Sequence, residues 1–407
     1  MIRRTTPAKG STTATGCRFT ITIVIETPQP IQMLDFARQF AGLREEILAA
    51  ITRVCDSQQF ILGPAVESFE RAAASALHVP YAAGCSSGTE ALWLAFAAAG
   101  IGPGDAVVTT PFSFFASVSA ILRAGAQPLL ADIDPATFNL CADSVEKVVQ
   151  QHRGSTIKAV LPVHLYGQCA DWDAFTTLKQ HHHLLLIEDA AQAFGAEWRG
   201  IPAGGLGDVA AFSFYPTKNL SAMGDAGMVT TRSAELDERT RMLRAHGMRR
   251  RYFHDEVGWN SRIDAIQAAV LEVKLRYLPK WNERRRQLAS RYDELFKAAG
   301  LAASSTAEGI VLPVTDARGV HVFHQYTVRV PRRDALREHL TARKIGSEIY
   351  YPLPLHMQAS LAELGYKKGD FPVTERAAEE VLSLPIYPEL REDEQQSVVE
   401  AIREFYA

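Results

Sequence analysis

The chain has 407 residues and a formal net charge of -3, and 47% of its residues are hydrophobic while 22% are charged. This length is more than one compact core usually needs, so we expect two domains in a soluble globular protein. The nearly balanced charge excludes the broad basic surface that would bind nucleic acid or an anionic membrane.

Residues 1–30 are rich in Thr and Pro and have no helical period, which predicts a mobile N-terminal extension. From about Ile31, short apolar runs alternate with longer amphipathic ones. The short runs predict strands that are buried on both faces, at residues 107–110, 129–131, 159–163, 184–187 and 210–214. Helices are predicted between them, for example at 90–99 and 115–124, and each ends beside a glycine that can cap it. This alternation predicts an α/β fold with a largely parallel sheet over residues 31–276.

The sequence pattern changes after about Tyr277. Residues 281–297 predict a long and highly charged helix, and residues 325–330 predict a strand that precedes the Pro-rich stretch 350–356. We therefore interpret residues 277–407 as a second, smaller domain.

The cysteines and the apolar runs indicate where the protein works. The five cysteines are widely separated and include no Cys-x-x-Cys pair, at Cys17, Cys55, Cys85, Cys141 and Cys169. This pattern predicts reduced thiols in the cytoplasm, and it argues against a disulfide framework and against a metal site. No apolar run approaches the roughly 20 residues that a transmembrane helix needs, so no membrane partner is expected.

Chemically reactive side chains follow two of the predicted strands. Asp189 comes where the strand at 184–187 leaves the sheet, and Lys218 follows the strand at 210–214. Earlier in the chain, the segment 87–89, Ser-Gly-Thr, opens a predicted helix, whose free N–H groups and dipole attract a phosphate. Ligands of parallel sheets bind beyond the carboxyl ends of the strands, so we expect these groups to meet there.

Each group also has an ordinary structural interpretation. A lysine after a strand is usually a solvated loop residue, and Asp189 or Ser87 could simply cap the helix that follows it. Together, however, they match the needs of pyridoxal 5'-phosphate. That cofactor requires a lysine amine for its Schiff base, an anion site for its phosphate and a carboxylate beside its ring nitrogen. Partial burial of Lys218 would favour the uncharged amine that acts as the nucleophile.

Several further motifs occur in order along the chain. They are Ser87-Gly88-Thr89-Glu90-Ala91-Leu92, Gly102-Pro103-Gly104-Asp105, Val163-His164-Leu165-Tyr166-Gly167-Gln168, Glu188-Asp189-Ala190-Ala191-Gln192, Phe212-Ser213-Phe214-Tyr215-Pro216-Thr217-Lys218-Asn219-Leu220, Gly224-Asp225, Asn260-Ser261-Arg262 and Tyr351-Pro352. With these motifs the chain resembles the DegT/DnrJ/EryC1/StrS family of sugar aminotransferases, from about Ile31 to Tyr406. The resemblance implies the fold type I of pyridoxal-phosphate transferases, which is that of aspartate aminotransferase. This fold has a large domain with a mostly parallel seven-stranded sheet and a smaller C-terminal α+β domain.

The resemblance also implies roles for the residues that contact the ring of the cofactor. Lys218 would hold it as a Schiff base, and Asp189 would pair with the ring nitrogen. Phe115 would stack on the ring, although any of the phenylalanines at 112, 114 and 115 could instead fill the core. Gln192 would lie near the ring hydroxyl group.

The remaining cofactor contacts implied by the resemblance are at the phosphate. Gly88, Thr89 and Ser213 would bind it within one chain, and Asn260 would reach it from the neighbouring subunit. The resemblance therefore implies a homodimer with shared active sites.

By the same resemblance, the substrates are a nucleotide-linked keto sugar and an amino-acid donor, usually glutamate. The product would be an amino sugar for surface polysaccharide or for a glycosylated metabolite. The candidates for substrate binding are His164, Arg262, Tyr351 and His356, and Tyr350 stands where family members often have a histidine.

The stretches 167–171 and 351–356 look most like the branch of the family that aminates carbon 3. This branch acts on 3-oxo uronates of the UDP-N-acetylglucosamine type and on dTDP-3-oxo-6-deoxy sugars.

Two other functions remain open at this point. The chain could be a non-catalytic cofactor-binding regulator or partner subunit, but a Lys218 and Asp189 pair has no purpose without turnover. It could also be a sugar dehydratase or epimerase that uses the same cofactor. Family members that dehydrate sugars have histidine in place of the lysine, so Lys218 favours transamination.

Overall fold

The computed structural model describes residues 30–152 and 156–407. The predicted mobile extension therefore lies, except for residue 30, outside the described residues. Within the described residues, no helix is both long enough and apolar enough to cross a membrane.

Helices and strands alternate along most of the chain. The α-helices are α1 (Phe36–Ser57), α2 (Pro64–Ala76), α3 (Gly88–Ala98), α4 (Ala116–Arg123), α5 (Ala142–Gln151), α6 (Trp172–His182), α7 (Ala234–Leu243), α8 (Ala265–Leu275), α9 (Leu278–Ala298), α10 (Arg333–Ala342), α11 (Pro372–Glu380) and α12 (Glu392–Tyr406). The strands are β1 (Tyr81–Cys85), β2 (Ala106–Thr109), β3 (Gln127–Leu130), β4 (Ile157–Val160), β5 (Leu185–Asp189), β6 (Glu197–Trp198), β7 (Ile201–Pro202), β8 (Val209–Ser213), β9 (Gly227–Thr231), β10 (Met248–Arg250), β11 (Phe253–His254), β12 (Gly319–Val320), β13 (Tyr326–Arg329) and β14 (Val381–Leu384). Short 3-10 helices cover Leu165–Gly167, Leu355–Met357 and Ala359–Leu364.

Seven strands form the central sheet in the order β1-β9-β8-β5-β4-β2-β3. Six of them point the same way, and β9 is antiparallel to both of its neighbours, β8 and β1. The predicted α/β fold with a mostly parallel seven-stranded sheet is therefore confirmed. Each of the five predicted strands corresponds to an observed one, shifted by at most a few residues.

The sheet is covered on both faces, which explains the continuous apolar runs in its strands. Val107 and Val108 are both fully buried, yet they belong to different core clusters because successive side chains point to opposite faces. One cluster includes residues of α1, α2 and α8, and the other includes residues of α3, α4 and α7.

A separate hydrophobic cluster lies in the C-terminal part of the chain. It joins buried residues of α9, α10 and α12 to the antiparallel pair β13–β14, and it also includes Ile31. The predicted helix at 281–297 and the predicted strand at 325–330 correspond to α9 and β13. The domain boundary between residues 276 and 277 stays a prediction.

A buried carboxylate fixes the end of β5. Glu188 is fully buried and accepts hydrogen bonds from three backbone N–H groups in the loop 204–207, at 2.6 to 2.9 Å. It also accepts a hydrogen bond of 3.0 Å from Nε2 of His164. Because these partners satisfy the charge, Glu188 can hold β5 and the loop before β8 together. The next residue, Asp189, is thereby held in place.

Candidate active site

A cavity of about 550 Å³ lies where β5 and β8 end. This volume is within the usual range for small-molecule sites. Its wall includes Ser87, Gly88 and Thr89 at the start of α3, Asp189 at the end of β5, and Ser213 and Lys218 at and after the end of β8. Residues from the C-terminal part of the chain complete the wall, so the cavity lies between the central sheet and that part of the chain.

Lys218 follows β8 in a tight turn, in which its backbone N–H donates to the carbonyl oxygen of Tyr215 at 2.8 Å. The side chain lies on the wall of the cavity. Loss of hydration around the amine lowers the pKa of Lys218 to about 8, although the charge of Asp189 acts in the opposite direction. The amine is therefore much easier to deprotonate than that of an exposed lysine.

Asp189 is buried at the last position of β5. Its Oδ2 accepts a hydrogen bond of 2.8 Å from the hydroxyl group of Ser117, and its Oδ1 accepts one of 3.2 Å from the N–H of Ala191. Burial raises the pKa of Asp189, because these neutral donors do not replace the lost hydration. A cationic group in the cavity would stabilise this carboxylate.

The first turn of α3 is a candidate anion site, and a glycine there lets the end of β8 come close to it. Ser87 caps the helix, and its Oγ accepts a hydrogen bond of 3.1 Å from the N–H of Glu90. A Cβ atom on Gly88 would lie 2.6 Å from the Cβ atom of Ser213, so only glycine lets the end of β8 approach the helix start. Free N–H groups at a helix N-terminus bind phosphate well.

Gln192 is held in a fixed orientation on the wall. Its Oε1 accepts a hydrogen bond of 2.6 Å from the N–H of Tyr166, and its Nε2 donates one of 2.7 Å to the hydroxyl oxygen of Tyr351. Burial raises the pKa of Tyr351, so this hydroxyl group stays protonated. The predicted residues Gln192 and Tyr351 are therefore brought together at the cavity.

The three neighbouring phenylalanines have different surroundings. Phe112 is fully buried in the core, whereas Phe114 lines the cavity and is 63% exposed. Phe115 is 37% exposed and immediately precedes α4, and it is not among the residues that form the wall. Phe114 therefore lies on the cavity wall, and the stacking role predicted for Phe115 stays a prediction.

The structure does not bring His164 and His356 to the cavity. His164 is fully buried, and its Nδ1 accepts a hydrogen bond of 3.1 Å from the N–H of Ala170 while its Nε2 donates to Glu188. The Nε2 of His356 lies 3.1 Å from Oε1 of Glu375, also away from the wall. Their positions do not support a role in binding a substrate.

Asn260 and Arg262 also lie outside the cavity of their own chain. Arg262 and Ser261 lie next to the residues that precede α3, since Arg262 forms an isolated bridge with Cys85 and the carbonyl oxygen of Ser261 accepts a hydrogen bond of 2.9 Å from the N–H of Ser86. Asn260 is exposed.

His324 and Gln325 also lie on the wall, although neither was given a role from the sequence, and Asp225 was named only within a motif. His324 and Gln325 immediately precede β13, and both are buried polar residues. The only signal in the sequence was a pair of polar residues at the start of a predicted buried strand.

The residues present fit pyridoxal 5'-phosphate. The wall offers a lysine amine with a lowered pKa, a buried carboxylate that lacks a cationic partner at hydrogen-bond distance, and a helix N-terminus with a glycine at its closest approach. These are the amine, the partner for the ring nitrogen and the phosphate site that this cofactor requires.

The pKa of Lys218 leads to a test of the amine by itself. At pH 7 about a tenth of an amine with a pKa of about 8 is uncharged, against well under a thousandth for a free lysine. We expect the rate at which cofactor-free protein binds added pyridoxal 5'-phosphate to rise with pH, with a midpoint near pH 8, and to level off above it. Stopped-flow absorbance at several pH values measures this rate. A rate that kept rising beyond pH 10 would mean that the lysine is unperturbed.

Comparisons with known proteins agree with this chemistry. The model of the DegT/DnrJ/EryC1/StrS aminotransferase family matches residues 42–403. A "Pleiotropic regulatory protein" of Geobacillus stearothermophilus is 46% identical over 376 residues, which cover 92% of this chain and 98% of that protein. The dTDP-3-amino-3,4,6-trideoxy-alpha-D-glucose transaminase of Streptomyces venezuelae is 44% identical over 382 residues, which cover 93% and 97%.

Solved structures give the same result. A crystal structure described as S. venezuelae DesV in complex with ketimine intermediate has a TM-score of 0.88 and 43% sequence identity. The match covers 93% of this chain and 99% of that chain.

Proposed function

Because the chain belongs to the DegT/DnrJ/EryC1/StrS aminotransferase family, we propose that it moves an amino group from glutamate to the ketone of a nucleotide-linked sugar. It is a pyridoxal-phosphate-dependent aminotransferase with the fold type I architecture. The observation that carries the proposal is that Lys218 and Asp189 lie on the wall of one cavity, which also includes the N-terminus of helix α3.

Each cavity residue has a distinct task in this proposal. Pyridoxal phosphate, when bound, supplies an electron sink for the negative charge that develops on the substrate carbon. Lys218 would hold the cofactor through Nζ, and its amine would carry the proton to and from the substrate carbon. Asp189 would stabilise a positive charge on the ring nitrogen, and Ser117 keeps its carboxylate oriented. Gln192 would bind the ring hydroxyl group.

Other residues of the cavity would hold the phosphate and the ring of the cofactor. Gly88, Thr89 and Ser213 bind the phosphate at the start of α3, where backbone N–H groups are free. The ring that stacks on the cofactor would come from the pair Phe114 and Phe115, since Phe114 lies on the wall and Phe115 is the partly exposed residue after it. Among the substrate candidates, Tyr351 is retained because it lies on the wall.

The enzyme works in two half-reactions in the same cavity. In the first half-reaction glutamate would give up its amino group, take up one water molecule and leave as the corresponding 2-oxo acid. In the second the keto sugar would receive the amino group and release one water molecule. Lys218 would move the proton in both half-reactions. Lys218 and Asp189 would therefore serve both half-reactions.

The active form is a homodimer with shared active sites. Asn260 lies outside the cavity of its own chain, so its contact with the phosphate has to be made to a second copy. Large apolar side chains on and after the β10–β11 hairpin support this, because Tyr252, Phe253 and Val257 are more than half exposed. Exposed apolar surface of this kind marks a site of association. Arg262 accompanies Asn260 toward the second copy, where it is placed to contact the substrate.

The sugar is aminated at carbon 3. The S. venezuelae relative is named for a 3-amino sugar, and the stretches 167–171 and 351–356 resemble the same branch. The product is an amino-sugar nucleotide for a polysaccharide or a glycosylated metabolite.

A cytoplasmic location follows from the thiols. The four cysteines in the described part of the chain, Cys55, Cys85, Cys141 and Cys169, are all unpaired, as expected in a reducing compartment.

The alternatives are not favoured. One relative is named as a regulatory protein, but a regulator has no use for a lysine of lowered pKa in the same cavity as a buried carboxylate. The lysine at position 218 also argues against a dehydratase.

The function is tested by incubating the purified enzyme with glutamate and a panel of keto-sugar nucleotides that differ in nucleotide and in ketone position. We expect an amino-sugar nucleotide and 2-oxoglutarate in equal amounts, measured by mass spectrometry, with the 3-keto sugars reacting fastest. Reactions without glutamate serve as the control. If amino acids and 2-oxo acids exchanged amino groups readily while no panel member gave an amino sugar, the assignment to sugars would fail.

A further inference from the structure

Two buried polar side chains on the cavity wall lack part of their hydrogen bonds. His324 is 6% exposed and Gln325 is 5% exposed, and both line the cavity that contains Lys218. Among residues 30–152 and 156–407, neither Nδ1 of His324 nor Oε1 of Gln325 has a hydrogen-bond partner. Buried polar atoms are rarely left unpaired, since each costs about 1–3 kcal/mol. Such atoms in a ligand cavity indicate contacts that a ligand completes.

The backbone of this segment is fixed from behind. Nη1 of the buried Arg285 donates to the carbonyl oxygens of Phe323 at 3.2 Å, His324 at 3.3 Å and Ile386 at 2.8 Å. The N–H of Gln325 donates to the carbonyl oxygen of Tyr166 at 3.3 Å. These contacts hold the backbone of the segment in place beside the cavity.

The chemistry of the unpaired atoms defines what they can bind. Oε1 of Gln325 is the unpaired amide atom, and an amide oxygen can only accept a hydrogen bond. Burial lowers the pKa of His324 well below its usual value, and the positive charges of Lys218 and Arg285 lower it further. The His324 ring is therefore neutral.

We propose that His324 and Gln325 bind a free hydroxyl group of the acceptor sugar, close to the reacting ketone. This inference rests on the proposed function. A hydroxyl group can donate to Oε1 of Gln325 and still pair with the neutral ring of His324. A carboxylate would place negative charge against Oε1, and a deoxy position would leave both atoms unpaired. The pair therefore selects hydroxylated sugars over deoxy sugars and over sugars with a carboxylate at that position.

The test compares Gln325→Leu with the unaltered enzyme on two acceptors, a keto-sugar nucleotide that it aminates and the analogue that lacks the hydroxyl group. We expect kcat/KM for the hydroxylated acceptor to fall by about 10- to 100-fold in the variant, because a site built around a hydroxyl group loses that contact. The value for the deoxy analogue should change by less than about threefold. The half-reaction with glutamate, followed by the absorbance of the cofactor, should be unchanged.

A second substitution separates binding from packing. His324→Asn keeps a hydrogen-bonding atom near the position of Nδ1 and should retain most of the discrimination, whereas His324→Leu should lose it. The matched control is Gln396→Leu, since Gln396 is partly exposed on α12 and donates only to Glu400. This control should match the unaltered enzyme on both acceptors.

The outcomes distinguish the two proposals. Equal losses on both acceptors, or a loss in the glutamate half-reaction of folded Gln325→Leu and His324→Leu enzymes, would overturn the role of this pair while leaving sugar amination intact. If the unaltered enzyme aminated no keto sugar at all, the proposed function would fail and this inference with it.

Discussion

Replacing Lys218 with alanine is expected to lower kcat for amino transfer by roughly 10⁴-fold, the upper end of what a positioned proton-transfer group contributes. The substitution removes the amine that binds the cofactor and also the base that moves the proton. Both tasks depend on the lowered pKa of this amine, which a solvent-exposed lysine would not have. The measurements are kcat with glutamate and a keto-sugar nucleotide, and the visible absorbance of the protein after incubation with pyridoxal phosphate.

The control for this change is Lys280→Ala, because Lys280 is exposed on α9 and far in sequence from the residues of the cavity wall. It should leave both the absorbance and kcat unchanged. Lys218→Arg retains a positive charge but an arginine cannot give up its proton at neutral pH, so it should be as inactive as the alanine variant. A Lys218→Ala enzyme with more than about a tenth of normal kcat would show that another group moves the proton.

The central sheet was predictable because its strands are buried on both faces. An unbroken apolar run of four or five residues between amphipathic helices is too short for a helix and too apolar for a surface loop, and β2, β3, β4, β5 and β8 were all located from it. Two strands at one edge of the sheet, β1 and β9, were not predicted. The sequence of β1 is Tyr-Ala-Ala-Gly-Cys, and its small residues give little strand signal. Its place in the sheet depends on pairing with β9, more than 140 residues later.

The active-site residues divide in a similar way. Lys218 and Asp189 were predictable because both lie at or just after the end of a predicted strand. In a parallel sheet, residues at the carboxyl ends of the strands face the ligand site. His164 also follows a predicted strand, but its imidazole turns toward Glu188 inside the core, and no local pattern states that direction. His324 and Gln325 reach the cavity only because the C-terminal part of the chain packs against the sheet. Such an approach is a property of tertiary packing, which spacing along the sequence does not encode.

Replacing Asp189 with asparagine is expected to lower kcat by roughly 10³-fold, in both half-reactions, with little change in fold. Asparagine has the same size and can still accept the hydrogen bond from Ser117, so the shape of the site is preserved. What it lacks is the negative charge. Asp189 is buried with only neutral hydrogen-bond partners, and its raised pKa shows that an unpaired anion is costly there. A cationic ring nitrogen removes that cost, and the carboxylate in return keeps the nitrogen protonated, which an amide cannot do.

The measurement for this variant is the rate of each half-reaction in single-turnover experiments, together with the affinity for pyridoxal phosphate. Ser117→Ala provides a graded comparison, because it leaves the charge but removes one bond of 2.8 Å that orients it, and we expect a loss of about tenfold. Asp143→Asn, at an exposed position in the first turn of α5, is the matched control and should have no effect. If Asp189→Asn kept normal rates, the carboxylate would only cap the turn through its bond from Ala191, and the ring nitrogen would have to lie elsewhere in the cavity. A large loss in the asparagine variant and a smaller one in the serine variant, with none in the control, would instead show that charge at this position governs the rate.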